Sequence, residues 1–264
     1  MLDIIYEIVK SIDISVARRE NFAIAFSGGL DSSLLAKIVK DNFKDVTLLS
    51  IGFPGSHDIE FSKFISNKMS MKHITYEINI ENFIIVLKKI IKNIPCNNLS
   101  HIENCVAFYY ISFLASSNGF NTVLTANGFD ELFCGYDRYR QIFSDGIVEI
   151  NKFMDKKIEN EQMLVKEIQE VSNEFNVSIK QPFLSCDFIE YAKKIPINKK
   201  ITSSNDLLRK HILREVAILL NVPVEAALKP KKALQYGSLI HKNLIKGIKK
   251  EDEIRKLLLT KINH

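Results

Sequence analysis

Short runs of apolar and β-branched residues alternate with longer amphipathic stretches through the first half of the chain. Residues 22–26 (FAIAF), 46–51 (VTLLSI), 73–78 (HITYEI) and 121–125 (NTVLT) read as strands. Between them, apolar residues recur three and four apart over 32–42, 59–68, 83–94 and 105–117, which predicts helices. Strands alternating with helices imply an α/β fold, a parallel sheet with helices on both faces. Right-handed crossovers then bring every strand's carboxyl end to one edge, where such sheets bind ligands.

Beyond Tyr139 the strand pattern gives way to charged helical patterns, clearest at 151–175, 187–194, 207–220 and 243–261. No internal repeat, low-complexity tract or Gly/Ser linker interrupts the chain. One folded unit over 1–264 is expected, with an α/β part at 1–140 and a mainly helical part at 141–264 capping the sheet.

The 264 residues are 46% hydrophobic and 25% charged, enough for a sizeable core and too apolar for a disordered chain. No apolar run reaches the roughly 20 residues a membrane helix needs. Residues 1–10 mix acids and a lysine into their apolar pattern, unlike a signal peptide, so a cytoplasmic protein is expected. Cys96, Cys105, Cys134 and Cys186 are widely spaced, which predicts buried thiols over disulfides or a zinc site. His57, His73, His101, His211 and His241 likewise lack metal-ligand spacing. The net charge of +5 suits an anionic small molecule. The lysine-rich stretch 242–261 reads as a solvated helix face, and nucleic acid is not an expected partner. The Phe108–Tyr110 cluster and Phe113 read as helix packing.

The sharpest local signal is Ser27-Gly28-Gly29-Leu30-Asp31-Ser32-Ser33, which follows the first strand and opens the first crossover helix. The glycines let the backbone turn tightly with its N–H groups facing a phosphate. Ser27 and Ser32 add hydroxyls, and the helix amino end adds a favourable dipole. No lysine follows the glycines, so this is not the GxxxxGK[ST] loop. A second segment, Thr125-Ala126-Asn127-Gly128-Phe129-Asp130-Glu131-Leu132-Phe133-Cys134-Gly135-Tyr136, follows the fourth strand.

The SGGxDS arrangement resembles the pyrophosphate loop of the adenylating ATPases. The second segment is similar to TGxGxDELFGGY in the synthetase domain of class B, glutamine-hydrolysing asparagine synthetases. Ile51 through Asp58, Gln181-Pro182-Phe183-Leu184-Ser185, and Leu208-Arg209-Lys210 through Lys231-Lys232-Ala233 resemble further family segments in the required order. The resemblance implies a Rossmann-like, adenine nucleotide alpha hydrolase-like fold that uses ATP and Mg2+. It implies that Phe26, Ile51, Thr125 and Ala126 surround adenosine, and that Ser27, Gly28, Gly29 and Ser32 hold pyrophosphate. Asp31 and Asp130 would hold Mg2+, and Lys231 would be the catalytic cation, also touching ATP. Asp58, Asn127 and Glu131 would face the substrate.

Three positions depart from the family pattern. Asn127 stands where a glutamate is usual, and a carboxamide cannot act as a general base. Ammonia would then arrive deprotonated, or a neighbour such as Glu131 or Glu103 would take over, or the acceptor differs. Ser185 replaces an aspartate, with Asp187 nearby as a local substitute. Ala126 replaces a glycine, which is tolerable only if φ there is negative. The sequence also starts directly in the synthetase half, so ammonia or another amine is the expected nitrogen donor unless a separate glutaminase subunit supplies it.

The resemblance implies an amide-forming ligase that adenylates a carboxylate, with the aspartate side chain as first choice, and then transfers ammonia or an amine. Two alternatives are a sulfur transferase acting on RNA or a small molecule, and a non-catalytic ATP-binding module that partners a glutaminase. Cys134 and Cys186 motivate the first; Asn127 and Ser185 motivate the second. The reading leaves room for a homo-oligomer.

Overall fold

Five parallel strands, β1 (Phe22–Ala25), β2 (Thr47–Gly52), β3 (His73–Glu77), β4 (Thr122–Leu124) and β5 (Ser178–Lys180), form one sheet in the order β3-β2-β1-β4-β5. The structure is a computed structural model that describes residues 1–16, 21–43, 46–96, 98–230 and 234–262. The four strands predicted from the pattern lie within one residue of their expected bounds. β5 was not predicted: three residues with a single buried apolar side chain, Ile179, carry no readable period.

The helices in chain order are α1 (Leu2–Ser15), α2 (Leu30–Asn42), α3 (His57–Lys68), α4 (Ile80–Asn93), α5 (Leu99–Ser117), α6 (Phe129–Leu132), α7 (Arg138–Gln141), α8 (Ile147–Asn173), α9 (Cys186–Lys194), α10 (His211–Leu219), α11 (Val224–Ala227), α12 (Leu234–Gly237), α13 (Ile240–Lys250) and α14 (Asp252–Ile262). None of the described helices is long and apolar enough to cross a membrane.

Side chains alternate across a strand, and the sheet divides the core accordingly. Ile24, Leu48 and Leu124 pack in one cluster with α1 and α2, whereas Ala23, Leu49 and Val123 pack in the other with α4 and α5. Helices therefore cover both faces, as the alternating pattern predicts. α1, unassigned from sequence, lays Ile4, Ile8 and Ile12 onto the first cluster at spacings of four.

Two helix predictions are corrected in detail. The stretch 243–261 is two helices that break at Glu251, where the backbone is extended. The break lets Ile254 and Leu258 turn into the same core as Ile240 and Leu244. The helix expected over 207–220 starts only at His211, because Arg209 (φ 49°) and Lys210 (φ 54°) are left-handed. Such a conformation costs about 1–2 kcal/mol per residue. The buried Asp206 carboxylate holds the turn by accepting the N–H groups of Leu208 (3.2 Å) and Arg209 (2.9 Å).

The chain runs outward from β1 through β2 to β3 and then crosses to β4 on the other side of β1, so the strand order reverses between β1 and β4. Ligands of open α/β sheets bind at the carboxyl end of that reversal. α8 lies across this edge. Its first half packs Ile150, Met154 and Ile158 into one core cluster, and its second half packs Leu164, Ile168 and Val171 into the other. The turns between them must pass over the strand ends.

Candidate active site

At the end of β1 the chain turns through Ser27–Gly29 into α2. Gly28 has φ +73°, and a Cβ there would meet the Ser62 backbone and the Phe61 ring at 3.1 Å, so only glycine fits without strain. Ser32 Oγ accepts the Ser27 N–H (3.2 Å) and donates to the Gly29 carbonyl (3.3 Å). Gly29, the N-cap of α2, has no side chain to cap the helix, which leaves the first N–H groups for a ligand.

Asp31, in the first turn of α2, meets Asp130, in the first turn of α6, through one buried ammonium. Lys210 Nζ lies 2.5 Å from Asp31 Oδ2 and 2.6 Å from Asp130 Oδ1, with its side chain only 3% exposed. The approach requires glycine at 135, since a Cβ there would overlap Asp130 Oδ1 and Lys210 Cε. Asp31 Oδ1 is buried with no hydrogen-bond partner among the described residues. Two converging carboxylates, one with an oxygen still to be satisfied, fit a hard divalent cation such as Mg2+.

A cavity of about 230 Å³ opens over the ends of β1 and β4. Phe26, Ile51, Thr125 and Ala126, expected around adenosine, line it together with Ser27, Asp31 and Ser32. So do Asp58, Asn127, Asp130 and Glu131. Ala126 is outside the left-handed region, the condition for an alanine there. Gly29 lines a smaller cavity of about 60 Å³ with Asp31, Asp58, Lys210, Arg214 and Lys229, while Gly28 faces α3. Lys231 lies outside the described residues. Asp58 packs on Gly237, where any Cβ would overlap its carboxylate.

Several contributors were not singled out from sequence. Lys210 was noted only within a motif. Arg214 spends its guanidinium on five carbonyl contacts, to Leu208 (two), Arg209, Ala227 and Lys229, tying the turn that aims Lys210 to the segment before Lys231. α8 supplies Lys157, Asn160, Glu161 and Leu164 to the cavity, positions spaced three, four and seven apart on one face. That spacing was present in the sequence, but charged residues on a long helix read equally well as a solvated face.

Glu131 closes a capping arrangement: it accepts the Gly128 N–H (3.1 Å) and the Tyr136 hydroxyl. Burial, with Glu161 and Asp130 nearby, pushes its carboxyl up to about 8. Gly128 has φ +106°, and a Cβ would lie 2.9 Å from the Phe183 carbonyl oxygen; the Phe129 and Phe183 rings stack at 3.9 Å. The Asp130 motif and the Pro182–Leu184 motif thus dock on each other. Glu103 does not line the cavity; it pairs with His241 Nδ1 at 2.6 Å. Asp187 is exposed in the first turn of α9 beyond Ser185.

The cysteines split. Cys96, Cys105 and Cys134 are buried as expected, whereas Cys186 is exposed. Burial pushes the Cys134 thiol up to about 12. Of the aromatic cluster, Tyr109 packs edge-on against Phe175 (4.8 Å) and Tyr110 is buried, so these rings are helix packing.

Residues 6–153 match the family model described as Asparagine synthase. The chain is similar to the putative glutamine-hydrolyzing asparagine synthetase 1 of Methanocaldococcus jannaschii, at 30% identity over 88% of this chain and 48% of that protein. It is also similar to the glutamine-hydrolyzing asparagine synthetase B of Escherichia coli, at 23% identity over 74% of this chain and 37% of that protein. The chain therefore spans about half or less of the length of these relatives. Among solved structures, NMN synthetase from Francisella tularensis aligns with 99% of this chain and 92% of its own, at 16% identity and a TM-score of 0.47.

Proposed function

The chain belongs to the asparagine synthase family, and from that premise we propose that it is an ATP-dependent, AMP-forming ligase that converts a carboxylate to an amide. The observation that carries this reading is the meeting of Asp31, Asp130 and Lys210 beside the Ser27–Ser32 turn, with both aspartates lining the larger cavity. ATP would place its adenosine against Phe26, Ile51, Thr125 and Ala126, and its β- and γ-phosphates against the N–H groups of the turn. The α-phosphorus then faces the cavity. A carboxylate oxygen attacks it, the bond to the β-phosphate oxygen breaks, and pyrophosphate leaves with that electron pair.

Asp31 and Asp130 would hold Mg2+, which neutralises phosphate charge when bound. Lys210 stands in the same place as a fixed positive charge, and Lys231 is proposed as a further cation. The side chain of aspartate is the proposed carboxylate and ammonia the proposed amine, from solution or from a glutaminase. The sulfur-transferase alternative has weaker support, because the Cys134 thiol is buried and held far from thiolate. Under the ligase reading, Cys134→Ser and Cys186→Ser retain activity.

ATP–pyrophosphate exchange across a panel of amino acids and other carboxylates tests the proposal. Exchange stimulated by aspartate and abolished by Asp31→Ala is the expected result. Exchange only with another acid reassigns the substrate, and ADP with orthophosphate as products would overturn the reading. Tight ATP binding without exchange on any acid would favour a non-catalytic module.

A further inference from the structure

Asn127 leaves the cavity without the carboxylate expected at that position, yet the structure brings one to the same place from another element. Asn127 Nδ2 donates to Glu161 Oε1 at 2.5 Å. The Thr125 hydroxyl donates to Asn127 Oδ1 at 2.8 Å, which turns the amide nitrogen toward Glu161. Glu161 is 7% exposed and lines the cavity from the middle of α8, the part of that helix that crosses the sheet edge. We propose that Glu161, oriented by Asn127, is the catalytic residue that takes the proton from the incoming amine, an assignment that rests on the ligase reading above.

The other acids near the cavity are occupied differently. Glu131 uses one oxygen on the Gly128 N–H and the other on the Tyr136 hydroxyl, both within its own turn. Glu103 is drawn away to His241. Asp31 and Asp130 share the Lys210 ammonium. Glu161 is the carboxylate delivered by a side of the cavity that holds neither the phosphate turn nor the acid pair. Charged and titratable groups around it among the described residues include Lys157, one turn earlier on α8, and Glu131 and Tyr136 from the segment that α8 packs against. Lys157 sits over the Tyr136 ring, 4.8 Å from its centroid.

The step balances with groups already named. Ammonia attacks the acyl carbon of the adenylate and the C–N bond forms. Nitrogen, now cationic, gives one proton to Glu161, and the bond from the acyl carbon to the phosphoryl oxygen breaks. AMP leaves with that electron pair, and Glu161 returns its proton to water. Glu161 has no part in forming the adenylate, so the two half-reactions separate experimentally.

The test compares the unsubstituted protein with Glu161→Gln, which keeps an oxygen to accept the Asn127 amide. Each is assayed for ATP–pyrophosphate exchange with aspartate and for amide formation with ammonium chloride. The expected result is amide formation reduced by about 100-fold or more in kcat, the usual range for losing a general base, while exchange changes by no more than about threefold. In a single turnover the variant then releases pyrophosphate promptly and AMP slowly. Amide formation at the parent rate would overturn the assignment, as would equal loss of both half-reactions. If Glu161→Gln does not fold, Glu161→Asp is read the same way, with amide formation falling more than exchange. Absence of exchange in the unsubstituted protein on every carboxylate is a separate result: it removes the ligase reading, and this assignment with it.

Discussion

Lys210 Nζ lies 2.5 Å from Asp31 Oδ2, although 179 positions separate the two residues. The contact joins the first crossover to the helical half of the chain, and the same ammonium also neutralises Asp130. Removing one partner from a buried charge cluster costs about 3–5 kcal/mol, because the charges left behind are uncompensated. Lys210→Met is therefore expected to be markedly less stable in urea. Mg2+ should recover part of the loss, since a cation held by Asp31 and Asp130 replaces the ammonium. A Lys210→Met protein whose denaturation midpoint is indifferent to Mg2+ would count against the metal assignment.

Gly135→Ala tests the same cluster by sterics alone. The added methyl overlaps Asp130 Oδ1 and Lys210 Cε, and overpacking of this kind costs about 1–3 kcal/mol. The larger effect is expected on chemistry, since displacing a catalytic group by about 1 Å lowers rates on the order of 100-fold. Exchange measured beside thermal stability separates the two effects.

Arg214 acts at a distance from the reacting atoms. Its planar fork satisfies carbonyls from Leu208, Arg209, Ala227 and Lys229, a pattern that an ammonium cannot reproduce. Arg214→Lys is predicted to cost about 2 kcal/mol or more through carbonyls left unpaired. It should also raise KM for ATP in exchange by loosening the turn that aims Lys210. An unchanged KM would show that the turn holds without the arginine.

His73 bridges β2 and α3, with Nε2 2.7 Å from Ser50 Oγ and Nδ1 3.0 Å from Ser66 Oγ. Burial, and then Lys63, lower its pKa to about 4 from 6.5. Between those values the unfolded chain binds a proton that the folded protein refuses, so stability falls as pH drops from about 6.5 to about 4. His73→Gln is expected to flatten this part of the melting-temperature profile. A profile as steep as the parent's would locate the acid sensitivity elsewhere.

The sequence by itself determined four of the five strands and the helices that connect them, in their order. Periods of two and of three to four are local properties, so 22–26, 46–51, 73–78 and 121–125 were readable as strands. The Ser27–Ser33 and Thr125–Tyr136 segments were readable as chemistry because each lies within one strand-to-helix turn. Contacts between distant elements left no such trace. β5 is a strand only because β4 offers it a partner, and the left-handed turn at Arg209–Lys210 exists because Asp206 and Arg214 hold it. Lys210 was legible only as part of a motif, and Glu161 looked like an ordinary charged helix residue. Each acquires its surroundings only when packing carries it over the carboxyl edge of the sheet, Lys210 between two aspartates and Glu161 against Asn127. Burial and proximity set how a charge behaves, and both are properties of the assembled chain.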